Sequence, residues 1–260
     1  MELRGWDRTM KFSGKVALVT GGSRGIGRTI STMFAREGAA VAVNYLRRSA
    51  PAEDTVNELR ELGARAIAIK ADVRDRERVQ DMVARVVDEF GGLDYVISNA
   101  ASGSNKHSMD LSPSGWDWAL NINSRALLFL AQAAVPYMRS RGGGRIISIS
   151  SLGAIRVSPN YTSVGVSKAA LEALTRYLAV ELAPEGIRVN CVSASTVETE
   201  ALEHFPNAEE MLAAARKRTP AGRMVKPEDI ASALRFLCSP DAEMIVGHTL
   251  VIDGGFSLPI

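Results

Sequence analysis

Short apolar runs alternate along this chain with longer segments whose apolar residues recur at helical spacing. KVALVT (15–20) is a run of strand length that ends against glycine, so it reads as a buried strand. RTISTMFAREG (28–38) has the helical period and a glycine stop at Gly38. AAVAVNY (39–45) is a second strand. PAEDTVNELRELG (51–63), opening on Pro51 with acidic residues in its first turn, is a second helix. ARAIAIKADV (64–73), RDRERVQDMVARVVDEFGG (74–92) and LDYVISNAA (93–101) continue as strand, helix and strand. The rhythm then gives a long helix over 113–138, strand five at 144–151, another long helix over 160–183 and strand six at 186–193. A helix over 227–239 and a seventh strand over 248–255 end the chain. Strands that alternate with helices predict a doubly wound α/β fold, mainly parallel, with helices on both faces.

The rhythm breaks once, over 196–222, a charged segment that is irregular to helical. It follows strand six, and in a doubly wound sheet ligands sit beyond the carboxyl ends of the strands. The segment therefore reads as a short substrate lid, with a solvated surface insert as the alternative. No repeat, linker or low-complexity stretch divides the chain. With 260 residues, 46% of them hydrophobic, it suits one domain over 12–260 behind a flexible extension at 1–11.

Charge narrows the partners. The formal net charge is only +2, which calls for neither nucleic acid nor an anionic membrane. Cys191 and Cys238 lie far apart in apolar contexts, so they read as buried free thiols, and no metal site is expected. The polar opening residues lack the apolar core of a secretory signal, and no run approaches a membrane span. A cytoplasmic protein is the expectation.

The loop between the first strand and the first helix is Thr20-Gly21-Gly22-Ser23-Arg24-Gly25-Ile26-Gly27. Glycines at this crossover allow a tight turn, and the helix start offers unpaired N–H groups to a pyrophosphate. Gly21, Ser23, Arg24, Gly25, Ile26 and Gly27 are the candidate contacts. A carboxylate at the end of strand two would take the ribose hydroxyls of NAD. This strand ends instead in Asn44-Tyr45, with Arg47 and Arg48 beyond, and Arg24 lies inside the loop. Arginine forks match a 2′-phosphate, so NADPH is favoured over NADH, with a solvated loop as the alternative for Arg47 and Arg48. Asp72 and Val73 after strand three, and Asn99 and Ala100 after strand four, are placed beside the adenine and the ribose; capping of the next element is the alternative.

One further stretch, PNYTSVGVSKAAL (159–171), holds Tyr161 and Lys168 seven positions apart. Seven helical positions turn about 700°, so the two share a face, with Val164 between them. Pro159 and Asn160 read as a turn and helix start. A tyrosine can donate to an oxygen that gains charge, and a nearby lysine favours phenolate character. Ser151, at the end of strand five, is placed to orient the substrate or Tyr161. A packed aromatic and a solvated lysine are the structural alternatives.

The glycine loop, the SNAA run, the Asn of LNINSRAL and this Ser-Tyr-Lys block together resemble the short-chain dehydrogenase/reductases over about residues 12–257. The resemblance implies a single-domain Rossmann fold with a seven-stranded sheet. In that superfamily the tyrosine usually stands four before the lysine, where this chain has Val164. SSLGAIRVSPNYTSVGVSKAALEALTRYLAVEL is similar instead to the enoyl-acyl-carrier-protein reductases, whose tyrosine stands seven before the lysine. NAASG, GWDWALNIN, EALEHFPN and RTPAGRM also look like their NADPH-dependent type III branch. The resemblance implies Tyr161 and Lys168 as catalytic residues, Ser151 in the place of the active-site serine, and Asn123 as support for Lys168. It also implies cofactor contacts for Asp72, Asn99 and Lys168, with Thr199 on the nicotinamide amide. The substrate would be a thioester of acyl-carrier protein or coenzyme A, and the assembly a homotetramer.

The sequence departs from the family after strand six, where Ala194-Ser195-Thr196 replaces a glycine-rich stretch and crowds the approach to the nicotinamide. Two rival readings follow: a ketone or 3-oxoacyl reductase of a specialised pathway with a relocated tyrosine, and a non-catalytic NADPH-binding scaffold. On the substrate side, Leu202, Phe205, Met211 and Met224 are candidates for an acyl channel. Arg216, Lys217, Arg218 and Arg223 either face a carrier or coenzyme phosphate or form a solvated charge run. Trp116 and Trp118 read as core or subunit contacts, and His107 and His204 need no role.

Overall fold

A computed structural model describes residues 10–197, 212–213 and 216–258. Its strands are β1 (Val16–Val19), β2 (Ala40–Tyr45), β3 (Ala66–Lys70), β4 (Tyr95–Ser98), β5 (Gly144–Ser151), β6 (Ile187–Ala194) and β7 (Thr249–Ile252). They form one sheet in the order β3-β2-β1-β4-β5-β6-β7, and every neighbouring pair is parallel. The chain reverses direction across the sheet between β1 and β4. That reversal opens a crevice at the carboxyl ends of the strands, where ligands of such sheets sit.

Helices cover both faces. On one, α1 (Gly25–Arg36), α2 (Ala50–Glu61) and α7 (Pro227–Leu237) press Ile30, Phe34, Leu59, Ile230 and Leu234 onto Val19, Val41 and Ile147. On the other, α3 (Arg76–Phe90), α5 (Ala126–Ser140) and α6 (Thr162–Leu182) press Met82, Val83, Leu127, Leu130 and Leu171 onto Leu18, Val96 and Ile146. Strands buried on both faces explain why they read as unbroken apolar runs.

Two helices differ from expectation. The single helix over 113–138 is two, α4 (Pro113–Leu120) and α5, joined by a π-helical turn at Asn121–Arg125. A π turn inserts one extra residue into the helical ladder and re-aims side chains, often at functional sites. Here it carries Asn123 into the interior. The helix over 160–183 starts two residues later, at Thr162. Asn160 has φ 59°, the left-handed region that asparagine tolerates better than most residues, so it lies outside the helix and Tyr161 becomes the N-cap.

Both cysteines are buried free thiols, as expected, and burial pushes Cys191 up to about 11 and Cys238 up to about 12. Among the described residues no cluster of metal-ligating side chains occurs, and no helix is long and apolar enough to cross a membrane. The segment 196–222 lies largely outside the described residues; within it 212–213 and 216–218 are helical.

Candidate active site

The glycine loop is clamped from below. Thr20 Oγ1 donates to the Ile97 carbonyl (3.1 Å) and accepts from the N–H groups of Asn99 and Ala100 (3.0 Å each). Asn99 Nδ2 donates to the carbonyls of Thr20 (2.9 Å) and Gly21 (3.2 Å). The side-chain amide of Asn99 thus holds the loop, where the sequence suggested a direct cofactor contact. Gly21 has φ 62°, and a Cβ on Gly27 would stand 2.2 Å from the Gly21 carbonyl oxygen, so neither position takes a side chain. Arg24 is the N-cap of α1 in extended conformation and makes no side-chain cap bond. The first turn of α1 therefore has no side-chain cap from its N-cap residue. A helix start of this kind suits a dinucleotide pyrophosphate.

Asn44 is turned inward. Its Nδ2 donates to the carbonyls of Tyr45, Ile69 and Ala71, and its Oδ1 accepts from Gly21 N–H (3.4 Å). Arg24, Arg47 and Arg48 are exposed, Ser23, Ile26 and Tyr45 half-buried, and Val73 buried. The carboxylate of Asp72 accepts from Arg74, with Arg74 Nη2 at 2.5 Å from Oδ2 and Arg74 N–H at 2.9 Å from Oδ1. That side-chain bond to Arg74 is the main cause holding Asp72 below the usual carboxylate range. The Arg74 guanidinium lies 4.0 Å over the Trp118 ring, and Trp118 Nε1 donates to Ser102 Oγ (2.9 Å).

Tyr161 meets Ser151 where β5 ends and α6 begins, and Lys168, further along α6, reaches β5 at Ile149. Tyr161 Oη is 3.5 Å from Ser151 Oγ, which also accepts from Gly153 N–H (3.2 Å). The ring needs Gly153: a Cβ there would stand 2.5 Å from Tyr161 Cε1. Lys168 is 5% exposed, and its Nζ donates to the Ile149 carbonyl at 2.5 Å. Asn123 Nδ2 donates to Ser167 Oγ and to the Ser102 carbonyl (2.8 Å each), and its Oδ1 accepts from Ser102 N–H (2.9 Å). Asn123 therefore ties α6 to the loop after β4. Val164 meets that loop directly, since a Cβ on Gly103 would stand 2.1 Å from Val164 Cγ2. Ser163 Oγ donates to the Ser104 carbonyl (3.3 Å), and Ser108 and Thr162 share a hydroxyl bond of 2.7 Å. The loop lies flat on the first turn of α6.

A family model described as "Enoyl-(Acyl carrier protein) reductase" matches residues 21–257. The chain belongs to the short-chain dehydrogenase/reductase family. It is 41% identical over 246 residues to 1-cyclohexenylcarbonyl-CoA reductase of Streptomyces collinus, covering 94% of this chain and 87% of that protein. A solved short-chain type dehydrogenase/reductase from Mycobacterium marinum superposes with a TM-score of 0.89 at 33% identity, covering 96% of this chain and 98% of the other. A 7α-hydroxysteroid dehydrogenase, solved with NADH and 7-oxo glycochenodeoxycholic acid, gives 0.90 at 32% identity, covering 96% and 97%. The chain is thus an NAD(P)H-dependent oxidoreductase, and its relatives span several substrates. The scaffold reading falls away with that membership.

Electrostatics of the reductase's site are set by burial. Burial raises Tyr161 above the ordinary phenol value, opposed by the bond to Ser151. Burial also brings Lys168 down to about 8, opposed by Cys191 and Glu172. Sequence reasoning missed Glu172, which is buried on α6 and accepts from Ser150 Oγ at 2.6 Å. It also missed Gly103 and Gly153 and the inward role of Asn44, which follow from contacts with Val164, Tyr161, and Gly21, Ile69 and Ala71. Thr199, Leu202, His204, Phe205 and Met211 lie outside the described residues. Met224 is buried, Arg223 pairs with Asp229 (2.6 Å) and Arg218 stands 5.0 Å over Phe256, so two of the predicted basic residues are engaged within the chain. Ser195 and Thr196 are half-buried, with Ser195 N–H bonded to the Ile252 carbonyl (3.3 Å). Trp118 packs against the core as expected, and His107 is exposed.

Proposed function

We propose that this reductase uses NADPH to reduce the 2,3 double bond of an enoyl thioester carried on acyl-carrier protein or coenzyme A. The observation that carries the reading is the displaced phenol. Tyr161 sits at the very start of α6 beside Ser151, while the position four before Lys168 is an apolar valine covered by Gly103. In a ketone, hydride and proton go to the two ends of one C=O bond. In an enoyl thioester, hydride goes to the β carbon and charge appears on the thioester oxygen, two bonds further away. A phenol set back along the helix suits that longer separation. The Streptomyces relative, by its name a reductase of an unsaturated acyl-CoA, supports the same class.

When bound, the reduced nicotinamide supplies the hydride. Tyr161 donates its proton to the thioester oxygen as charge grows there, giving an enol; water then supplies the proton that completes the α carbon while the enol proton returns to the Tyr161 phenolate. Lys168, held by the Ile149 carbonyl, offers its ammonium to the ribose and lowers the cost of phenolate character at Tyr161. Ser151 orients the phenol, and Asn123 fixes the helix turn that carries Ser167 and Lys168. The first turn of α1 receives the pyrophosphate through the backbone of Ser23, Arg24, Gly25, Ile26 and Gly27, with Gly21 leaving room. Arg24, Arg47 and Arg48 take the 2′-phosphate beside Tyr45. Asp72 and Val73 meet the adenine, Asn99 and Ala100 border the ribose, and Thr199 takes the nicotinamide amide. Residues 196–222 form the substrate lid. Val166, Tyr177 and Val180 leave an exposed apolar stripe on α6, the surface on which a homotetramer would assemble in the cytoplasm.

The test is NADPH oxidation with crotonyl and acetoacetyl thioesters side by side. Crotonyl turnover is expected, with kcat lowered about 10²–10⁴-fold in Tyr161→Phe and NADPH affinity retained. The competing reading is ketone reduction, which the hydroxysteroid dehydrogenase neighbour, solved with a 7-oxo ligand, favours. Turnover of acetoacetyl alone would replace the enoyl reading with it.

A further inference from the structure

Between α6 and β5 lies a buried polar cluster in which Glu172 has no part in the reduction described above. Glu172 is 8% exposed and stands one helical turn beyond Lys168 on the same buried face of α6. Its Oε1 accepts from Ser150 Oγ at 2.6 Å. The adjacent residue of β5, Ile149, gives its carbonyl to Lys168 Nζ at 2.5 Å. Two consecutive strand residues thus hold Lys168 and Glu172, which stand one turn apart on one helix face.

Such placement has a physical consequence. An ammonium buried without an opposing charge loses its proton, because desolvation penalises the charged form. The groups facing Lys168 can be named element by element. From β5 come the Ile149 carbonyl on Lys168 and Ser150 on Glu172, while Asn123 of the π turn bonds the neighbouring Ser167, and none of these titrates in the working range. From β6 comes Cys191, whose buried thiol is pushed up to about 11 and so is neutral near neutral pH. From α6 itself comes Glu172. Among the described residues, Glu172 alone is a carboxylate in this set.

We propose that Glu172 is a positioning residue: fixed by Ser150 one turn from Lys168, it keeps the buried ammonium charged on the ribose and Tyr161 above neutral pH. This rests on Lys168 being the charged partner of the ribose and Tyr161, but not on which acceptor is reduced. A purely packing role for Glu172 would move the titration of Lys168 only through its burial, which Glu172→Asp disturbs more than the near-isosteric Glu172→Gln.

The test is an NMR titration of the full chain labelled at the ε carbon of lysine, with the Lys168 signal identified by its loss in Lys168→Met. Glu172→Gln is expected to lower the Lys168 midpoint by about one to two pH units, the worth of a charge one helical turn away at an effective dielectric of about 20. Glu172→Asp, which keeps the charge, is expected to restore most of that. The alkaline loss of NADPH affinity, followed by cofactor fluorescence, moves down with the midpoint. Should Glu172→Gln fail to fold, Glu172→Met removes the same charge at similar length. An unmoved midpoint in Gln and Met overturns the proposal; a moved midpoint with an unmoved NADPH profile overturns its functional half. Both readouts need no acyl substrate. If they behave as expected while neither thioester is reduced, the enoyl reading fails and the counter-charge stands.

Discussion

Replacing Lys168 by methionine is expected to abolish turnover and yet stabilise the cofactor-free protein. The side chain is 5% exposed, and its folded value is about 8 against the ordinary lysine value of 10.5. Carrying the charge into the fold therefore costs about 3 kcal/mol. Since the folded value lies below the unfolded one, the unfolded chain binds more protons between about pH 8 and pH 10.5. Stability rises with pH across that window, and the cost is fully present below it. Methionine has a similar length and no charge, but it leaves the Ile149 carbonyl without the donor it has at 2.5 Å. An unpaired buried acceptor costs about 1–3 kcal/mol. The net gain at pH 7 is then on the order of 1 kcal/mol, and it should fall towards zero or below by about pH 10. Urea unfolding of both proteins at the two pH values measures this. Other titrating groups are common to both, so the difference isolates Lys168. A variant less stable than wild type at pH 7, or a difference that does not change with pH, would refute the assignment of a buried, costly ammonium.

Two further outcomes test the loop and the cofactor pocket. Gly103→Ala places a Cβ 2.1 Å from Val164 Cγ2, so it should destabilise by about 1–3 kcal/mol and raise the substrate KM, and adding Val164→Ala should recover most of the loss in a double-mutant cycle of thermal melts. Reversing the charge at Arg47 and Arg48 to glutamate should lower the NADPH over NADH preference about 10²-fold with little change in kcat, measured as the ratio of kcat/KM for the two cofactors; an unchanged ratio would return both arginines to solvated loop.

Much of the architecture was legible because the sheet is parallel. Strands such as VALV and AIAIK are buried on both faces and show as apolar runs, while α1 and α3 show amphipathic periods with glycine stops. The glycine loop, Tyr161, Lys168 and Ser151 were legible because their chemistry is local: a turn, a helix start and a strand end. What escaped is what depends on distant partners. The π turn at Asn121–Arg125 leaves no mark in periodicity, yet it aims Asn123 at Ser102 and Ser167. Asn44 reads as a polar strand end, and only the packing of β1, β2 and β3 shows it turned inward against Gly21, Ile69 and Ala71. Asp72 reads as an open carboxylate, but Arg74, two residues on, folds back onto it. Glu172 looks like any helix glutamate, and its burial follows from Ser150, which is 22 residues away.

The displaced tyrosine is therefore not a single change. A phenol at position 164 would need the space where Gly103 now meets Val164, and that loop is pinned to α6 through Ser163–Ser104 and Ser108–Thr162, and through Asn123, which bonds both Ser102 and Ser167. Moving the phenol to 161 requires a helix that starts late, which the left-handed Asn160 provides, and a ring seat without a side chain, which Gly153 provides. A Cβ on Gly165 would stand 2.8 Å from the Gly153 carbonyl, so that seat extends into α6 itself. Each of these features is weak alone: an asparagine turn, three glycines, one valine. Together they close one position for the phenol and open another. For that reason Val164→Tyr in a Tyr161→Phe background is not expected to regain activity as a point substitution, since the loop would have to leave α6 first.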